Sequence, residues 1–581
     1  MERLHMANIK NNIPRAEFPN PQFERISWQC LNGLWDFEID KSLSGLERGL
    51  SSATAELSDH ILVPYCPESK LSGVQYLDFM NAVWYARTIV LTEEQNKEKV
   101  FICFGAVDYE CTLFVNGKKI GNHKGGYSSF RFDISSATHV GENRITLFVL
   151  DDSRNPLIPR GKQSELYHSH DCDYTRTTGI WQSVWLEFVP VSHLVCIKCE
   201  TDVDNAVLQL TAETSGPRAD LNVSVLYEGR EMGTALVKQV GGTVYLSIPL
   251  REKHLWELGK GGLYNLHLEY GKDVVKSYFG IRSVALDGKR FLLNGKSVFQ
   301  RLVLDQGFYP DGIYTAPTEA DLIRDIELSM KLGFNGARLH QKVFEPRFLY
   351  HCDRLGYMVW GEFGDWGVDA TNPLAIYSVL PEWEEVLLRD RNHPAIIGWC
   401  PFNETWKTQN WDLYQNYIRL VYHTTKLIDP SRPCIDTSGG IHVETEIYDV
   451  HDYEGNPELL RQHYEDLEEN NKIFDYFKDR QCYGGQAIFV SEYGGITWRR
   501  EGVPECWSYG DIPKTEEEFV LRFCQTTAVL MDHPSFFGIC YTQLTDVEQE
   551  QNGLLWPDRT PKFDTEQFRK VLTRKAAIEE E

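Results

Sequence analysis

The feature that most restricts the fold is a change of pattern repeated through the second half of the chain. From residue 290 to the end, short apolar runs alternate with helical stretches. The runs are SVFQRLVLD (297–305), FNGARLH (334–340), YMVWGEF (357–363), AIIGWCPFNE (395–404), CIDTSGG (434–440), EIYDVHDY (446–453), AIFVSEYGG (487–495) and FFGICYTQLTD (536–546). Near-continuous apolar runs are what parallel strands buried on both faces require. In the intervening TEADLIRDIELSMKLG, Thr318 can cap a helix, Leu322, Ile326 and Met330 share one face, and Gly333 can close the end. Eight such alternations in about 290 residues match a TIM barrel in number and size. An open doubly wound sheet would bring a Gly-rich phosphate turn after its first strand, and the sequence has none there.

The first half reads as β structure throughout. WYARTIVL (84–91), KVFICFGAV (99–107), CTLFVNGKKIG (111–121), NRITLFVLD (143–151) and WQSVWLEFV (181–189) are strand candidates, and Asn116-Gly117 predicts a two-residue hairpin. Many short strands joined by turns imply a jelly-roll-like sandwich. From about 191 the pattern restarts with six or seven strands in roughly 90 residues, the count of an immunoglobulin-like sandwich. The fold class expected is therefore multidomain β plus α/β: a jelly-roll-like β-sandwich over 1–190, an immunoglobulin-like β-sandwich over 191–284 and a (β/α)8 barrel over 285–581. Three domains fall short of the four that a length of 581 suggests at roughly 150 residues each, because a barrel takes twice that share.

Charge narrows the partners. Subtracting 84 acidic from 59 basic residues leaves −25, a field that repels phosphate backbones and anionic lipid, so neither nucleic acid nor membrane is an expected partner. No stretch approaches the ~18 apolar residues of a membrane span, and the N-terminus has no apolar run. The 14 cysteines are scattered, mostly in apolar stretches, which fits a reducing compartment and a cytoplasmic location. The one CxxC, Cys196 to Cys199, lies in a strand-like segment without a second pair, so it reads as structural.

In a barrel of this kind the active site forms at the C-terminal strand ends. Those ends carry Asp305, His340, Glu362, Asn403, Glu404, Asp436, Asp452, Tyr453, Glu492, Tyr493, Gln543 and Asp546, with Arg338 the chief cation. Acids and aromatics in that place suit glycoside hydrolysis, which needs one protonated carboxyl to assist the leaving oxygen and one carboxylate to attack or stabilise the anomeric carbon. Glu404, closing WCPFNE, and Glu492, in FVSEYGG, end the fourth and seventh strands, which face each other across the mouth. Glu404, with Trp399, Phe402 and Trp406 nearby in sequence, is expected to be the acid, and Tyr453 or Tyr493 to donate to Glu492. Asp305 and His340 are candidates for distal sugar hydroxyls, Gln543 for another polar contact, and Trp360, Trp366 and Trp406 for sugar platforms.

These segments carry a family resemblance. RNHPAIIGWCPFNE resembles the acid/base signature of glycoside hydrolase family 2, and FVSEYGG its nucleophile segment. LNGLWDFEID, FGAVDYECTLFVNGKKIGNHKGGYSSF and TTGIWQSVWLE resemble the family's sugar-binding sandwich, and FGIRSVALDGKRFLLNGKSV its junction into the barrel. The resemblance implies a retaining exo-β-glycosidase with Glu404 as acid/base, Glu492 as nucleophile, Asn403 at the sugar 2-hydroxyl and Tyr453 near the nucleophile. It is also compatible with a homo-oligomer.

Departures from the family's branches bear on the substrate. The Asn-x-Lys of β-glucuronidases is absent from EQEQNGLLWPDRTPK, although Arg559 or Lys562 lies nearby in the chain. The magnesium site of the large β-galactosidases has no counterpart in GEFGDWG, so neither metal nor cofactor is expected. A β-galactoside is the leading substrate by analogy, with a glucuronide or galacturonide as the alternative. Two rival readings are a non-catalytic carbohydrate-binding protein and a metallohydrolase using His340, Glu362 and His451. The loop HSHDCDYTRTTG (168–179) can either reach across to a neighbouring barrel mouth or form solvated turns.

Overall fold

The structure, a computed structural model, describes residues 13–405, 409–499 and 508–579. Two antiparallel sheets form the first sandwich. One runs in the order Asp59–Val63, Gly33–Ile39, Ala82–Leu91, Gly141–Leu150, Glu110–Val115, Lys118–Lys124, and the other in the order Phe130–Asp133, Lys99–Phe104, Val184–Val189, Trp28–Cys30. Alternating side chains from both, among them Trp35, Phe37, Tyr85, Leu113, Leu147, Phe104 and Leu186, fill the space between. The hairpin at Asn116-Gly117 is present: Val115 faces Lys118, and both turn residues have positive φ, 52° and 79°.

The second sandwich sets His193–Asp202, Val207–Ser215 and Thr243–Pro249 against a sheet of Arg230–Val240, Ala219–Tyr227, Leu263–Tyr270 and Asp273–Gly280. Its outer edge is completed by a segment from far upstream, Glu24–Arg25, which pairs with Asp273–Gly280. The buried Arg25 guanidinium binds Asp273 through Nε (2.9 Å) and Glu187 through Nη1 (2.7 Å), tying the two sandwiches together.

The barrel sheet contains parallel strands in the order Ile396–Cys400, Met358–Glu362, Gly336–Leu339, Gln300–Asp305, Phe536–Thr542, Ala487–Gly494, Ile447–Asp452. Helices lie between them, including Glu319–Leu332, where Thr318 and Asp321 form a reciprocal capping box and Gly333 closes the end at φ 108°. The expected strand CIDTSGG differs. Residues 433–438 pair with the fourth strand only through single bridges, Trp399 with Cys434 and Asn403 with Ser438. The Asp436 side chain explains this, since it accepts from the backbone N–H groups of Thr437, Val443 and Glu444 and so folds the segment back on itself instead of extending a ladder. Its side chains complete the closure: Ser438 Oγ donates to Asp449 on the sixth strand at 2.6 Å.

Trp360 belongs to this interior and is no sugar platform. It is fully buried, donates to Gln300 Oε1 at 2.9 Å and stacks on Phe489. The 13 cysteines among the described residues are free thiols. No helix among the described residues is long and apolar enough to cross a membrane.

Candidate active site

Glu404 follows the fourth strand in a left-handed backbone conformation, φ 51°, its N–H held by Ser438 O at 2.7 Å. Such a conformation is costly for a residue with a Cβ and persists only where surrounding contacts impose it. Glu492 lies within Ala487–Gly494, where the pairing with both neighbouring strands shifts register, between Val450 and His451 on one side and between Val490 and Tyr493 on the other. Irregularities of this kind re-aim side chains. Here they turn His451 and Glu492 to the same place, and oxygens of Glu404 and Glu492 and a ring nitrogen of His451 lie within 4.8 Å of one another.

The partners of each group are specific. Buried Arg338 donates to Glu362 Oε1 (2.5 Å), to Glu492 Oε1 (3.0 Å), to Ser491 O (2.9 Å) and to Asn403 Oδ1 (2.9 Å). Tyr453 OH donates to Glu492 Oε2. Both oxygens of Glu492 are thus held by donors, which fixes the orientation of its carboxylate. Tyr493, the other expected donor, pairs with Thr527 instead, because it points to the helix side of the barrel.

His451 Nδ1 is 2.8 Å from Glu404 Oε1 and 3.5 Å from Glu492 Oε2, and its Nε2 meets Ser438 Oγ at 3.1 Å. Burial alone would lower its pKa, but the charge on Glu492 and the hydrogen bond to Glu404 outweigh burial and raise it. For Glu404 burial pushes upward, yet the His451 hydrogen bond and charge, with Lys162 and Arg338 behind them, bring the carboxyl below its ordinary value. The aromatic setting expected around Glu404 is not found among the described residues: Trp399 turns away to Asp429 and Phe402 packs on Tyr417. The third flanking aromatic, Trp406, lies outside the described residues.

Asn403 is fixed through its Oδ1 by Arg338 and through its N–H by Asp365 (3.0 Å), leaving its buried Nδ2 without a partner. Half-buried Trp366 donates through Nε1 to Asn403 O at 3.2 Å, which keeps it at the mouth as a platform candidate. Gln543 donates to Asn552 Oδ1 (2.7 Å) and has an unpartnered Oε1. His340 is buried against Glu362 at 3.2 Å, and burial, then the charge of Lys162, hold it neutral. Asp305 accepts from Gly307 N at 2.9 Å, and its pKa is pushed up to about 6 by burial and then by Asp325. No hydrogen bond or ion pair links it to Glu404 or Glu492 among the described residues.

Other residues at the mouth lie off the strand ends. Loop 168–179 reaches the barrel of its own chain: Tyr174 OH donates to Glu550, and Gln549 donates to the carbonyls of Asp171 and Asp173. Tyr509 stacks on Tyr453 with ring centroids 3.7 Å apart. Lys162 lies over the rings of Trp366 and Tyr174. Neither residue stands at a strand end, so the strand-end rule had no means of finding them. His340, Glu362 and His451 do not converge as a metal set. Among the described residues the converging groups are Glu404–His451–Glu492 and Glu165–His170–Asp173.

Two sandwiches leading into a barrel whose mouth pairs two carboxylates define a glycoside hydrolase. The family descriptions agree: "Glycosyl hydrolases family 2, sugar binding domain" matches residues 28–190 and "Glycosyl hydrolases family 2, TIM barrel domain" matches 284–576. The chain belongs to glycosyl hydrolases family 2.

Its relatives include the β-glucuronidase of Streptococcus agalactiae serotype V, 22% identical with 93% of this chain and 95% of that one covered. The β-glucuronidase of Paenibacillus borealis is 25% identical, with 69% and 72% covered. Among solved structures, a β-glucuronidase of an uncultured Clostridium aligns at a TM-score of 0.78, with 21% identity and 96% and 99% covered. That of Ruminococcus gnavus in complex with D-glucuronic acid aligns at 0.78, with 19% identity and 96% and 100% covered. These findings count against the β-galactoside expectation and favour the alternative drawn from the sequence, a uronide.

Proposed function

We propose that this glycoside hydrolase is a retaining exo-β-glucuronidase, with Glu492 as nucleophile and Glu404 as acid/base. The observation that carries the reading is the approach of the two carboxylates within 4.8 Å around His451. Retaining enzymes place their carboxyls at about 5–5.5 Å, whereas inverting enzymes leave room for a water at about 6.5–9.5 Å. The glucuronide glycone rests on the names of the relatives.

In the first step Glu492, oriented by Arg338 and Tyr453, attacks the anomeric carbon while the glycosidic C–O bond breaks and the leaving oxygen takes a proton from Glu404. His451 Nδ1, 2.8 Å away, supplies the proton that resting Glu404 lacks. Asn403 Nδ2, unpartnered and buried, is available to a sugar hydroxyl. In the second step Glu404 takes a proton from water, whose oxygen attacks the same carbon and releases Glu492 with net retention.

The test is a panel of nitrophenyl β-glycosides (glucuronide, galacturonide, glucoside, galactoside) with the anomer of the first-formed product read by NMR. Hydrolysis of the glucuronide to the β-anomer is expected. Glu492→Gln should lose at least about 10³-fold in kcat while keeping the wild-type melting profile, and Glu404→Gln about 10²–10⁴-fold. An α-anomer as first product, or near-wild-type turnover by Glu492→Gln, would overturn the mechanism.

A further inference from the structure

A uronide carries a carboxylate on C5, and burying that charge at the barrel mouth requires a cation with hydrogen-bond capacity to spare. Most cations around the mouth are already engaged by acceptors of the chain itself. Arg338 makes four hydrogen bonds. Lys342 is used by the carbonyls of Gly307 and Tyr314. Arg559 is bidentate on Asp325, and Lys562 binds Asp546 with two backbone carbonyls. His451 lies between the two carboxylates, and His340 is neutral.

Lys162 differs. It is 5% exposed, and its Nζ has no hydrogen-bond acceptor among the described residues. Its nearest carboxylate is Glu550 Oε2 at 3.7 Å, beyond hydrogen-bond reach. Glu550 is itself occupied, Oε2 by Tyr174 OH and Oε1 by Asn552 Nδ2 at 3.0 Å. The ammonium lies 5.0 Å from the ring centre of Trp366, the side chain bonded to Asn403 O. Glu550, Glu492 and Glu404 all act on it electrostatically and oppose the effect of burial, so it stays charged.

The loop that carries it is fixed to the barrel. Arg160 N donates to Trp366 O and Gly161 N to Gly364 O, both at 2.9 Å, while Lys162 O accepts from Tyr174 N at 2.7 Å. A charged, buried group held in place on both sides, with its N–H groups unspent, is prepared for an anionic ligand.

We propose that Lys162, brought to the barrel mouth by the N-terminal sandwich, binds the C5 carboxylate of the glycone and sets the preference for uronides. The inference rests on the glucuronidase reading above and locates its specificity on a loop outside the barrel.

The experiment compares full-length wild type, Lys162→Met and Lys162→Arg on nitrophenyl β-glucuronide and nitrophenyl β-glucoside, which differ only at C6, and on inhibition by free D-glucuronate and D-glucose. Lys162→Met should lower the glucuronide-to-glucoside ratio of kcat/KM by about 10- to 150-fold, chiefly through KM, as loss of a hydrogen bond to a charged group does. It should weaken inhibition by D-glucuronate and not by D-glucose, and Lys162→Arg should recover most of the ratio. If wild type cleaves the glucuronide and Lys162→Met lowers both substrates equally or neither, Lys162 is not the carboxylate site and the glucuronidase reading stands. If wild type cleaves no uronide, that reading fails and this assignment falls with it.

Discussion

At the scale of single residues, His451 acts on the charge state of Glu404. Its Nδ1 lies 2.8 Å from Glu404 and 3.5 Å from Glu492; the bond to Glu404 lowers that carboxyl's pKa and raises the pKa of the imidazole. Asp449 reaches the ring through Ser438, and Arg338 lies behind with a like charge. Under the proposed mechanism, one proton shared by Glu404 and His451 is the form competent for acid catalysis. It is lost as pH rises through the raised His451 pKa. In His451→Asn that proton has only the carboxyl to reside on, so the alkaline limb of kcat/KM should move to lower pH by roughly one unit or more. A pH–rate profile from 4 to 9 checks this, and an unmoved limb would remove His451 from the proton path. Glu404, Glu492, Asn403 and Tyr453 were legible as strand-end residues. His451 was legible only as a lone histidine, because its aim depends on a register shift between two strands that no single segment encodes.

At the scale of elements, the loop from Arg160 to Tyr174 is seated on the barrel mouth through backbone hydrogen bonds to Trp366 and Gly364. Gly161 has φ 57°, and a Cβ there would meet Gln341 O at 2.3 Å and Tyr127 Oη at 2.6 Å. Gly161→Ala should therefore lift the loop from the barrel. A displacement near 1 Å at a binding group costs on the order of 10²-fold, so kcat/KM on the glucuronide should fall about 10- to 100-fold. Steady-state kinetics beside circular dichroism would show whether the loss occurs in a folded enzyme. Seven of the eight expected barrel strands have their runs in the parallel sheet, since apolar periodicity is a local property. The segment 433–438 escaped because one polar side chain, Asp436, redirects its backbone, and an apolar count is blind to that.

At the scale of the whole molecule, the first sandwich is docked on the barrel mouth. It supplies Lys162, Tyr174 and the carbonyls that receive Gln549. The two sandwiches are in turn held by Arg25, whose guanidinium also donates to Leu194 O at 2.6 Å. Arg25→Leu would leave Asp273 and Glu187 buried without their cation, a loss of about 3–5 kcal/mol. Calorimetry should show an early transition for the sandwiches, with the barrel melting later. A single unshifted transition would mean that the junction does not depend on this ion pair.

The amino-acid order alone determined the succession of strands and helices, the helix cap at Thr318, the hairpin at Asn116-Gly117 and the two catalytic candidates. Each depends on spacing over a few residues, which local sterics and burial read directly. Only the tertiary structure decided that Lys162, Tyr174, His451 and Glu550 stand around one mouth, and that Arg559 and Lys562 are already committed elsewhere. Those relations join residues up to several hundred positions apart. They exist only once the loop from the sandwich has docked on the barrel and the register shifts have set each side chain's direction.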